Sequence, residues 1–61
     1  MMTIIERVSV KRTKRLHPEW TTAQVWAHCT TEGLIVNRTA EDVERVILSM
    51  PEYREDQGAL L

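Results

Sequence analysis

Two threonines, Thr21 and Thr39, each stand directly before a stretch of helical periodicity, and the link between those stretches, residues 33–38, is short and partly apolar. That pair of caps constrains the chain more than any other feature. Thr21-Thr22-Ala23-Gln24 has capping-box spacing, a hydroxyl at the cap and an amide three residues on. Trp20 before the cap and Val25 at the fourth helical position are placed to pack as a hydrophobic staple. Thr22, Val25, Trp26 and Cys29 then share about a third of the circumference at 100° per residue. Gly33 supplies the left-handed residue that ends many helices, with Leu34 free to fold back on the last turn.

The second cap opens Thr39-Ala40-Glu41-Asp42, whose acidic first turn suits the positive end of the helix dipole. Ala40, Val43, Val46, Ile47 and Met50 form one stripe, and Glu41, Asp42, Glu44 and Arg45 the opposite side. Pro51 stops or bends the helix. Leu48 lies off the stripe, as a flank of the core or an exposed apolar contact. Val25, Cys29, Val43 and Ile47 are the residues expected to clasp the two helices together.

Residues 1–16 admit two readings. As a helix, Thr3 caps it with Glu6 at the box position, and Ile4, Ile5, Val8 and Leu16 share a face. Lys11, Arg12, Lys14 and Arg15 then crowd the C-terminal end, where the dipole favours cations. As a strand, Arg7-Val8-Ser9-Val10-Lys11 alternates without a break, with the valines inward. Leu16-His17-Pro18 looks like a helix end and tips the reading toward helix. The expected fold is mainly α: one small three-helix domain over 1–61, with a basic N-terminal segment at 1–16, a two-helix core at 21–50 and an acidic, then apolar, tail at 54–61.

At 61 residues, the chain is near the lower limit for an independently folding core, which makes a homodimer a live expectation. One cysteine, Cys29, excludes an intramolecular disulfide framework and fits a reducing setting. Charges arrive at Glu6 and Arg7, too soon for the apolar core of a signal peptide, so none is expected, and apolar runs stop at three residues, too short to span a membrane. The expected location is the cytoplasm. Residues 1–20 carry five cations against Glu6 and Glu19, a balance of +3, and residues 41–61 carry six acids against Arg45 and Arg54, a balance of −4. A basic end can meet phosphates, and an acidic end can meet a basic protein or a second copy.

Catalytic and metal signatures are missing. His28 and Cys29 are sequence neighbours, yet on a helix they point about 100° apart and cannot pair as base and nucleophile. Two histidines and one cysteine lack zinc-ligand spacing. No enzyme, cofactor or metal is expected. Trp20, Trp26 and Tyr53 suit base stacking or interface anchoring, with core filling the commoner role for Trp26.

Residues 21–47 resemble the helix–extended loop–helix fold of the SAP domain and its LEM and Rho N-terminal-like relatives. Val25 and Cys29 take the apolar sites of the first helix, and Gly33-Leu34 match the family's Gly-Leu pair. Thr39, Asp42, Val43 and Ile47 fall at the cap, acid and core positions of the second. Departures are Arg38 in place of a usual glycine, Ala40 where a DNA-contacting lysine is common, and Glu44 in place of an apolar residue. A rival resemblance is to ribbon–helix–helix repressors, with Arg7, Ser9 and Lys11 entering the major groove. The connections at 12–20 and 33–39 are longer than that fold usually allows.

Two functions are therefore carried forward. The first is a small nucleic-acid-binding regulatory protein, active in transcription regulation, with Lys11, Arg12, Lys14, Arg15 and Arg38 on phosphates. The alternative is a protein–protein interaction module, an adaptor, antitoxin-like partner or small inhibitor, with Ile35, Leu48, Tyr53, Leu60 and Leu61 at the partner interface.

Overall fold

A computed structural model describes residues 2–52, which form three helices: α1 (Ile4–Leu16), α2 (Thr22–Thr31) and α3 (Ala40–Leu48). The fold is mainly α, and no strand occurs among the described residues. Residues 7–11 lie inside α1, so the strand reading, and with it the ribbon that the ribbon–helix–helix resemblance requires, is corrected.

All three helices start by the same device. The hydroxyls of Thr3, Thr21 and Thr39 accept from the backbone N–H of Glu6, Gln24 and Asp42 at 3.1, 3.2 and 3.1 Å. The side chains of Glu6, Gln24 and Asp42 accept in return from the cap N–H at 3.0, 2.8 and 3.1 Å. Each box satisfies two backbone donors that helix geometry leaves orphaned.

The C-terminal ends differ. After α1, the Lys14 ammonium donates to the carbonyls of Pro18 (3.0 Å) and Trp20 (2.6 Å), folding the 17–20 turn against the helix. His17 stacks on Trp20 there, ring centroids 3.8 Å apart and planes within 6°. Beyond α2, the Leu34 N–H bonds to the Cys29 carbonyl (2.8 Å) and the Gly33 N–H to that of Thr30 (3.2 Å). Those two bonds form a Schellman motif, and Gly33 carries its left-handed residue at φ 72°. Ser49 closes α3 with its N–H on the Arg45 and Val46 carbonyls, and Pro51 follows.

The core takes Val10 from α1, Val25 and Cys29 from α2, Ile35 from the connecting loop, and Val43, Val46 and Ile47 from α3, with Met2, Trp20 and Trp26 packed around it. Val25, Cys29, Val43 and Ile47, the expected clasp, are all buried, as is Met50. Ile35 is 2% exposed. Its assignment to a partner interface is corrected: the 6→1 bond at the end of α2 turns the chain back, and that return drives Ile35 inward. The Trp26 indole N–H donates to the Arg38 carbonyl at 2.7 Å, tying the loop to α2.

Helix α1 is amphipathic in an unusual sense. Its buried arc comprises Glu6, Val10, Thr13 and Lys14, three polar side chains and one valine. The Cys29 thiol donates to the Thr13 hydroxyl (3.6 Å), which itself donates to the Ser9 carbonyl (2.9 Å). The apolar stripe of Ile4, Ile5, Val8 and Leu16 faces out, as burial and helical spacing both require.

Candidate interaction surface

The inward turn of the polar arc follows from Glu6. Its carboxylate caps α1 through the Thr3 N–H and accepts from the Val36 N–H at 3.1 Å. It also receives Arg38, Nη2 on Oε1 at 2.9 Å and Nε on both oxygens at 3.2 Å. With Arg38 foremost, then the two backbone donors, the Glu6 pKa falls from 4.5 to about 2. The same pairing raises Arg38. A carboxylate with this many donors is satisfied only by facing the 36–38 loop, and that rotates the isoleucines to the far side of the helix.

Ile4, Ile5 and Leu16 are 79%, 77% and 70% exposed, and Val8 52%. They line a groove of about 470 Å³. Its other wall is His28 of α2 and Leu34 of the Schellman turn, the latter 39% exposed. Arg12 also lines this groove, and a neighbouring furrow of about 360 Å³ runs past Lys11, Arg12 and Arg15. Spacing along the helix explains the arrangement. Ile4, Val8, Arg12 and Leu16 recur every fourth residue and so follow one line along its surface.

The five cations expected to meet phosphates do not form one surface. Lys14 is buried with its ammonium on two backbone carbonyls, and Arg38 is held by Glu6. Inclusion of these two is corrected: both complete internal polar networks. Lys11, Arg12 and Arg15 stay together along α1. Arg15 pairs with Glu52 at 3.1 Å between side chains about half exposed.

Of the expected partner-interface residues, Leu48 is 38% exposed on α3, away from the core stripe. Tyr53, Leu60 and Leu61 lie outside the described residues. Periodicity alone does not mark Ile4, Ile5, Val8 and Leu16 as a surface. Their shared face was visible, but which of the two arcs turned inward was not. The signal that discriminates them is Glu6, a box residue whose second oxygen needs donors beyond its own helix.

Chemistry elsewhere is sparse. Cys29 is fully buried and bonded to Thr13, and no group of three or more metal-ligating side chains occurs among the described residues. His17, Trp20 and His28 form a ring cluster, Trp20 and His28 centroids 5.3 Å apart. No helix among the described residues is long and apolar enough to cross a membrane.

No family model matches the chain, and neither a curated protein nor a solved structure matches it.

Proposed function

We propose that the protein is a protein-interaction module whose docking surface is the outer face of α1. One observation carries the reading: four large apolar side chains, Ile4, Ile5, Val8 and Leu16, are exposed on one side of one helix. Isolated exposed apolar residues need no explanation, but a contiguous stripe bordering a groove marks a contact surface. Among the described residues, the core cluster draws none of its side chains from the stripe. Nucleic-acid binding has weaker support, since two of the five cations it draws on are engaged internally.

Site-specific photo-cross-linking in cells tests the reading. A photoreactive residue at Ile5 or Val8 gives a discrete polypeptide adduct that Leu16→Glu abolishes, while one at Ala23 of α2 or Glu44 of α3 gives none. In parallel, duplex DNA titrated at two salt concentrations shows no saturable binding. DNA binding with a log–log salt slope of about −0.9 per phosphate contact, removed by Lys11→Gln and Arg12→Gln, would replace this reading with a nucleic-acid one.

A further inference from the structure

The groove also specifies a partner. Resting on the interaction reading above, we infer that the α1 groove takes an acidic amphipathic helix from another protein, its leucine-type side chains on Ile4, Ile5, Val8, Leu16 and Leu34 and its carboxylates on Arg12 and Lys11.

Shape sets the first requirement. From Ile4 to Leu16 the stripe rises about 18 Å at 1.5 Å per residue, the length of about three helical turns. The His28–Leu34 wall makes it a furrow, and an amphipathic helix fills such a furrow with side chains at i, i+3, i+4 and i+7.

Charge sets the second. Among the described residues that line the groove and the adjoining furrow there is no carboxylate, while Lys11, Arg12 and Arg15 contribute three cations. Glu52 pairs with Arg15, and its pKa is lowered by its own backbone N–H, by Arg15 and by the nearby charge of Lys11. That leaves Arg12 at the centre of a rim that stays positive on balance, three cations against one acid. The acid that α1 itself supplies, Glu6, is on the opposite face and already paired with Arg38.

A second copy fits less well. Packing α1 on its symmetry mate brings Lys11 and Arg12 of both chains to the same seam, four cations against the two Glu52 carboxylates, and like charges so placed are repulsive. Packing α1 on the acidic α3 of another copy meets Leu48 as the large exposed apolar side chain of that helix. It is also a head-to-tail contact that need not close.

The test titrates the full chain, isotopically labelled, with two designed helical peptides. Both carry leucines at i, i+3, i+4 and i+7 over three to four turns. One has glutamates on the flanks and its twin has lysines in their place. The glutamate peptide should shift the resonances of Ile4, Ile5, Val8, Leu16 and Leu34, and bind at least ~10-fold tighter than the lysine twin at low salt. That preference should shrink as salt rises, because Arg12, the cation that lines the groove, is solvent-exposed. Arg12→Gln, an exposed change whose folding is checked by circular dichroism, should remove most of it. Equal affinity of the two peptides would overturn the acidic-partner inference and leave the docking surface standing. If neither peptide perturbs α1, both fall. Resonance shifts on α1 caused by phosphatidylglycerol vesicles, or by raising the protein concentration, would then assign the face to a lipid surface or to self-association.

Discussion

Glu6 and Arg38, 32 positions apart in the chain, meet through three hydrogen bonds of 2.9 to 3.2 Å, and the same carboxylate caps α1 and holds the Val36 N–H. One side chain thereby fixes the start of α1, the path of the α2–α3 loop and the rotation of α1 about its axis. The rotation matters most for the proposed function, because it decides which face of α1 is left exposed.

That relationship makes the fold acid-sensitive. The Glu6 pKa is depressed from 4.5 to about 2, so its contribution is fully present above about pH 4.5 and drains away as the pH falls toward 2. Asp42, held by the Thr39 cap, and Glu52, held by its own backbone N–H and Arg15, are lowered as well and act in the same direction. Thermal midpoints measured from pH 6 down to pH 2 should fall steepest in that window. Glu6→Gln should lower the neutral-pH midpoint and flatten the acid limb. The double variant Glu6→Gln/Arg38→Gln should lose less than the two single changes added, since each single change strands a partner.

The caps are equally open to test. Thr21→Ala removes the hydroxyl that accepts the Gln24 N–H and should cost about 1 kcal/mol. In a domain of this size that lowers the midpoint by roughly 4–8 °C. Thr21→Ser keeps the acceptor and should recover most of the loss. A chain with so small a core depends on its helix ends, so three such caps are a substantial share of its stability.

Most of the architecture was legible from residue chemistry. Thr21 and Thr39 marked the starts of α2 and α3, Gly33 with Leu34 marked the end of α2, and Thr3 with Glu6 marked the start of α1 only on the helical one of two readings. Val25, Cys29, Val43 and Ile47 followed from period alone. The rotation of α1 was hidden because both of its arcs are self-consistent in isolation. The choice rests on contacts from Glu6 to Val36 and Arg38 and from Thr13 to Cys29, across 30, 32 and 16 residues. The role of Lys14 is hidden for a related reason: it sits in a run with Lys11, Arg12 and Arg15, but its ammonium folds back onto the turn that follows.

Ile35 and Leu48 provide a sharp contrast. Both read from sequence as spare apolar residues, yet Ile35 is 2% and Leu48 38% exposed. Ile35→Ala opens a cavity among Val10, Val25 and their neighbours and should cost about 2–5 kcal/mol, seen as a large drop in the urea midpoint. Leu48→Ala should cost about 1 kcal/mol or less. Comparable losses for the two would mean that the loop does not insert Ile35 into the core.

Lys14 and Lys11 make a second matched pair, three residues apart on α1. Methionine preserves the length of the lysine stem and deletes the charge. At position 14 it leaves the Pro18 and Trp20 carbonyls without their ammonium donor, and a hydrogen bond to a charged group is worth about 1.5–3 kcal/mol. Lys14→Met should therefore lower the midpoint and alter the fluorescence of Trp20, whose ring is stacked on His17 in the same turn. Lys11→Met, on the groove rim, should leave both unchanged and should weaken the acidic peptide instead. If the two substitutions acted alike on stability, Lys14 would belong to the surface with Lys11, and the 17–20 turn would need another anchor.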